Sequence, residues 1–445
     1  MNTLLSLSEY LDRQTEYVSN NKVIFTILLT IGNFIFSIHY FEWRDLISEF
    51  IVSNTIHYNY FDVKSIGLIF YDGLKYTSQV GLHGLVFSIP SIMGATPSDA
   101  YFYALFLLVG FLFYYIHIAI SILIKESYSS ISAVLYFLLV AFSPIFIFNS
   151  NNLYWLYFLY LAPLFYTMKY FNIVKYKKFY LILSLILSVK YLATFEFIST
   201  IVLSCLIPTY YVLYKNKSRL REYIKHTWLL FVTSVVPFLI ILIMFLLSGG
   251  ELEQENSNKP LIKKIYGYGS GEIDISTSKS DLMRSNHFTV RDDMYASFAK
   301  KRNMGAEEDI DIVEKMNSYL RRLNTYKNRT SLLEYVSFNE SKKKSLYSAQ
   351  LIFCLLFTVV YVFLTIIKNN KRMELNSLLL AVSLLASISW PLIMPAHFYF
   401  HAVTRPGMAE VVLIIPFYGM VAVCLGDVLN SRVIVARRAN REGQI

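Results

Sequence analysis

Apolar residues arrive along this chain in long stretches, and polar residues gather in blocks between them. Crossing a bilayer as a helix takes about 20 mostly apolar residues, somewhat fewer where flanking aromatics and lysines anchor the ends. Ten runs meet that measure: Val23 to Phe41, Ala100 to Ile124, Ile131 to Phe148, Leu153 to Phe171, Phe179 to Ala193, Phe195 to Tyr214, Trp228 to Leu247, Leu346 to Ile367, Leu375 to Met394 and Met408 to Leu429. The pattern predicts an all-α polytopic membrane protein of about ten transmembrane helices. It divides the chain into an N-terminal segment (1–22), seven spans within 23–247 with a first polar loop at 42–99, and a polar insertion at 248–345. Three spans within 346–429 follow, with a last loop at 395–407, and a tail at 430–445 closes the chain.

Composition supports the same class. Hydrophobic residues make up 55% of the 445 positions and aromatics 16%, and the mean hydropathy of +0.45 exceeds what a water-soluble domain needs. Short cytoplasmic connections keep Lys and Arg. Lys125, the Lys175, Lys177 and Lys178 group, the stretch from Lys215 to Lys225, Lys368 to Arg372, and the arginines of the tail all fall on one side of this topology. Both termini are therefore expected in the cytoplasm, with 42–99, 248–345 and 395–407 facing outward. The net charge of +10 is accounted for by this signal and by anionic inner-leaflet lipid, so it calls for no nucleic-acid partner. No small-residue cleavage site follows the first run, so it is expected to stay as a helix. Cys205, Cys354 and Cys424 lie inside predicted spans, where they suggest neither a disulfide framework nor a zinc site.

The insertion at 248–345 mixes both charge signs. Its EEDIDIVEKMNSYLRRL stretch repeats apolar positions at helical spacing, which predicts a small extracytoplasmic cap with at least one amphipathic helix; a partly disordered loop is the alternative. DLISEFIV, just after the first run, predicts a helix along the membrane surface.

The candidate chemistry sits in the outward segments. YDGLKYTSQVGLHG holds Asp72, Gln79 and His83 among glycines that admit close backbone approach. A carboxylate kept at a membrane surface needs a task or a partner, although Asp72 with Gly73 also fits a solvated turn. In EWRD, Glu42 and Asp45 flank Arg44, as an ion-paired anchor or as catalytic carboxylates. Lys190 and Glu196 are placed at the outward turn between the fifth and sixth runs, as an ion pair or as a site wall facing a phosphate and a hydroxyl. His397, His401 and Arg405 recur every four residues, which suits an anionic head group. A metal site is the weaker reading there, because no H-E-x-x-H glutamate lies between the histidines.

S-Q-V-G-L-H-G, the N-L-Y-W after the third run, K-Y-L-A-T-F-E-F and P-A-H-F-Y-F-H, taken in order, resemble bacterial integral-membrane glycosyltransferases of the GT-C superfamily type, as found in surface polysaccharide and lipopolysaccharide modification. The resemblance spans Val23 to Leu429 apart from the insertion. It implies a sugar donor carried on a polyprenyl phosphate, a glycan or lipid acceptor, an outward-facing active site in a bacterial plasma (inner) membrane, and a carboxylate in the first outward loop. Carried over, that carboxylate is Asp72, with Asp45 as its rival. Glu42, Gln79, His83, Lys190, Glu196, His397, His401 and Arg405 become donor or substrate contacts, with direct attack giving inversion. A transporter or flippase of lipid-linked saccharide is the competing expectation, and a noncatalytic assembly partner is a third.

Overall fold

The computed structural model describes residues 2–41, 99–141, 156–193, 197–247, 342–368, 370–393 and 416–430, with Ser150 and a few positions between 70 and 94. Eleven helices form within them. They are α1 (Asn2–Asn20), α2 (Lys22–Phe41), α3 (Asp99–Ser127), α4 (Ser130–Ala141), α5 (Tyr157–Tyr170), α6 (Tyr176–Ala193), α7 (Ile198–Lys215), α8 (Leu220–Leu247), α9 (Lys342–Lys368), α10 (Lys371–Ile393) and α11 (Pro416–Asn430). Each of the ten apolar runs overlaps one helix, α2 to α11 in order. The last residues assigned to the insertion, 342–345, belong to α9.

Four of these helices are long and apolar enough to cross a membrane, over Ala100–Ser127, Ile198–Lys215, Leu220–Ile243 and Lys371–Ser389; the pair Glu9–Asn20 and Lys22–Ile35, bent by 90°, makes a fifth if counted as one span. The expected ten is a larger number. Ser130–Val140, Phe353–Lys368 and Pro416–Asn430 are apolar but short within the described residues, and α6 carries Lys177, Lys178 and Lys190.

The distribution of side chains explains why this bundle suits lipid. Its perimeter is aliphatic and bare: Leu181 on α6 is 62% exposed, Val359 on α9 68% and Ile366 74%. An apolar belt of this kind would drive a water-soluble protein to associate, and hydrocarbon covers it without penalty. The interior is aromatic and mildly polar, with Tyr114, Tyr136, Tyr157, Tyr191, Tyr361 and Tyr418 fully buried. Lipid removes the hydrophobic drive for helices to associate, so close packing and interhelical hydrogen bonds must hold them. Accordingly, His117 Nδ1 lies 2.7 Å from the Tyr136 hydroxyl across α3 and α4, Tyr180 and His226 repeat that pairing at 2.7 Å across α6 and α8, and Ser389 donates to Ser199 at 2.9 Å across α10 and α7. Buried Thr and Ser return their hydroxyls to the carbonyl one turn back, as Thr209 does to Cys205 at 2.8 Å. Cys205, Cys354 and Cys424 are buried on α7, α9 and α11, as their place in the runs predicts.

The basic connections gather at one end. Tyr211 on α7 donates to the Ser127 carbonyl that ends α3, Tyr214 donates to the Lys371 carbonyl that starts α10, and Asn216 reaches Asn172 in the α5–α6 turn. Lys125, Lys175 and Lys215 thus share an end with Lys371, as the charge pattern requires. The opposite end holds the start of α7 and the last turn of α6.

Helix α11 meets α4 at unusually short range. A Cβ placed on Gly426 would lie 2.7 Å from the Ser132 Cα and 2.8 Å from its backbone nitrogen. About two turns earlier on the helix, a Cβ on Gly419 would meet only the Tyr136 ring, at 3.7 Å. The small residue at 426 lets the two backbones touch.

Candidate functional site

Of the ten side chains nominated from the sequence, Lys190 lies within the described residues. Glu42, Asp45, Asp72, Gln79, His83, Glu196, His397, His401 and Arg405 lie outside them. In the first loop, β1 (Phe70–Tyr71) and β2 (Leu74–Lys75) pair antiparallel, with Phe70 opposite Lys75 and Tyr71 opposite Leu74.

Lys190 lies at the C-terminal end of α6, away from the basic connections. Its position is in the last turn of α6, inside the helix, and its side chain is 0% exposed. The ammonium lies 4.4 Å from the ring centroid of Tyr160 on α5, within the distance at which a cation is attracted to a π face. Being near a helix C-terminus adds the attraction of the unpaired carbonyls there. Tyr160 packs in turn against Tyr157 and against Phe197, each at 5.7 Å between centroids. The neighbouring Tyr191 hydroxyl bonds to Ser234 on α8. Lys190 therefore stands in an aromatic corner where the first turns of α5 and α7 meet the last turn of α6.

The backbone of that corner is constrained. The residues that open α5 and α7, Leu156 (φ 48°) and Phe197 (φ 60°), both adopt the left-handed region, which bulky residues avoid. Each such residue costs on the order of 1–3 kcal/mol and persists only when its surroundings hold it. Burial supplies the hold here, since Leu156 is 4% and Phe197 0% exposed. Two strained helix starts beside one buried cation mark a place built to a fixed geometry.

A second polar cluster, absent from the sequence reading, lies at the basic end. The Arg372 guanidinium on α10 is 2.6 Å from the Asp427 carboxylate on α11, and Asn376 Nδ2 lies 3.3 Å from both Asp427 and the Tyr361 hydroxyl. Three helices are joined through one buried amide, Asn376 being 0% exposed. The clue in the sequence is Asp427 itself, a carboxylate inside the final apolar run, which in lipid demands a partner.

The two charges are unequally placed, the Arg372 side chain being 54% exposed and that of Asp427 14%. Arg372→Ala strands a nearly buried carboxylate, whereas Asp427→Asn leaves an arginine free to reach water and keeps a hydrogen-bonding amide. We expect the first to lower thermal stability in detergent by roughly 1–3 kcal/mol and the second by less. Negligible losses in both would show that solvent screens the pair and that it holds nothing together.

Among the described residues, no three His, Cys, Asp or Glu side chains are grouped to hold a metal ion. Searches of family models, curated proteins and solved structures find no match to this chain.

Proposed function

We propose that this protein is an integral-membrane glycosyltransferase that moves a sugar from a polyprenyl-phosphate donor to a glycan or lipid acceptor on the extracytoplasmic face. The observation that supports this reading is the buried, aromatic-walled Lys190 at the end of the bundle away from the basic connections. Cationic groups desolvated near a head-group layer are suited to a lipid phosphate, which leaves with its negative charge stabilised. Tyr157 and Tyr160 wall the cation and hold it in place. In this reading Asp72 accepts the proton of the attacking hydroxyl, Asp45 is its rival, and Arg405, with His397 and His401, completes the grip on the donor. Direct attack inverts the sugar's anomeric centre.

The test is reconstitution of the purified protein in liposomes with a radiolabelled polyprenyl-phosphate sugar and mixed glycan acceptors. The expected result is labelled product dependent on the protein and released lipid phosphate in equal amount. Movement of the labelled donor across the bilayer without product would establish the flippase in its place, and the absence of both product and movement would remove the glycosyltransferase reading.

A further inference from the structure

Helix α1 is a polar-faced helix set at 90° to α2, whose bare face of Ile24, Ile27, Leu28, Ile31 and Ile35, each more than 40% exposed, belongs in hydrocarbon. If α2 runs across the membrane, α1 runs along it. Its contacts fix the level: Thr15 donates to Ser130 at the start of α4 at 3.3 Å, and Lys125 at the end of α3 donates to the Asp12 carbonyl at 3.4 Å. The helix therefore crosses the basic end of the bundle over the α3–α4 turn.

At 100° per residue its side chains sort into three strips. Leu11, Thr15 and Val18 form the strip against the protein and are partly buried. Glu9, Asp12 and Glu16 form an exposed acidic strip. Tyr10 and Tyr17, 53% and 59% exposed, form the third. The direction of this third strip is settled by Tyr17, whose ring meets Phe25 edge-on at 5.9 Å. Phe25 lies one turn into α2, so the tyrosine strip looks down the shaft of the span, toward the bilayer, and the carboxylates look away from it. Tyrosine at that level is the side chain that keeps its ring among acyl chains and its hydroxyl among head groups.

We infer that α1 is an interfacial helix whose Tyr10–Tyr17 strip is seated in the phospholipid head-group layer at the basic end of the bundle. A covering protein partner is disfavoured by that same geometry, because anything docked on the strip would have to lie within the lipid boundary beside α2. The acidic strip, kept clear of the anionic surface, fixes the helix's roll about its axis.

The test places single spin labels on the full-length protein in phospholipid vesicles at Tyr10→Cys and Tyr17→Cys, and for contrast at Asp12→Cys and Glu16→Cys. All four positions are exposed, and Tyr17→Cys alone gives up a ring contact, that with Phe25, so Tyr10 serves as its control; the three native cysteines are buried, and the unsubstituted protein gives the background. Relaxation by oxygen should exceed relaxation by a water-soluble nickel chelate several-fold at 10 and 17, with the order reversed at 12 and 16. Dominant nickel relaxation at all four would overturn the inference, placing α1 in water or against another soluble surface. Oxygen dominance at all four, placing it inside the hydrocarbon, would overturn it equally. The outcome is independent of whether the protein transfers sugars.

Discussion

Gly426→Ala is expected to destabilise the protein by about 1–3 kcal/mol, the range for forcing extra carbon into a packed interior, while Gly419→Ala changes stability by only a few tenths. The two glycines lie on the same helix and face the same partner, so propensity effects cancel and the difference isolates the contact. The added methyl at 426 would sit 2.7 Å from the Ser132 Cα and 2.8 Å from its nitrogen, both backbone atoms that move only if α4 moves. At 419 it would rest 3.7 Å from the Tyr136 ring, ordinary van der Waals distance. The measurement is the loss of the monodisperse size-exclusion peak after heating in detergent, for both variants alongside the parent. A third variant sharpens the test: Ser132→Ala removes the hydroxyl near Gly426 and leaves the backbone in place. If Ser132→Ala restores Gly426→Ala fully, the obstacle was a side chain that can rotate away, and α4 and α11 do not meet backbone to backbone.

The helices were legible because a bilayer leaves the sequence few choices. A chain in hydrocarbon must satisfy its own backbone, and ten apolar runs each produced a helix for that reason. The grouping of basic turns at one end was legible too, because the charge bias acts through short loops, and Tyr214 against Lys371 now ties two of them together. Lengths were less so. The fourth run reads from Leu153, yet α5 begins at Tyr157 after Leu156 has taken a left-handed φ of 48°, and no local pattern around Leu156 announces a helix start. At the end of α6, the pattern places Lys190 by the turn between the fifth and sixth runs and offers Glu196 as its nearest partner in the chain. The structure keeps it in the helix by giving the ammonium the face of Tyr160, a partner thirty residues away that only tertiary packing supplies.

Polar pairings across helices were harder still. Arg372 and Asn376 are one turn apart on α10, but Asp427 lies 51 residues beyond Asn376, and although a carboxylate in the final apolar run signals a partner, nothing local says which one. The amphipathic character of α1 was hidden for another reason: its apolar strip is narrow and its acidic strip dilutes the mean, so the segment reads as a polar leader to the first span. Its role comes from the 90° corner at Asn21, which is a property of the path and not of composition.

If the protein transfers sugars as proposed, replacing Lys190 with Met should lower transfer about 100-fold or more. Methionine keeps an unbranched stem of similar length, so the corner among Tyr157, Tyr160 and Phe197 stays filled. Stability in detergent is measured alongside, because removing one member of a buried polar pair destabilises a fold, and turnover is compared per folded molecule. A purely structural cation over Tyr160 would therefore be lost without consequence for turnover. If the ammonium instead holds the donor's phosphate, its loss removes a charge-stabilising donor of the kind typically worth 10²–10³-fold in rate, and Lys190→Arg should recover part of it. Asp72→Asn should act differently: losing a general base costs on the order of 10²–10⁴-fold, with donor affinity unchanged, because the acceptor's proton and not the phosphate is affected. Initial rates against donor concentration separate the two, with Lys190→Met raising the donor KM and Asp72→Asn lowering kcat alone. Transfer by Lys190→Met at the parent rate would make the aromatic corner a packing device, and the search for the phosphate site would pass to Arg405 and the last outward loop.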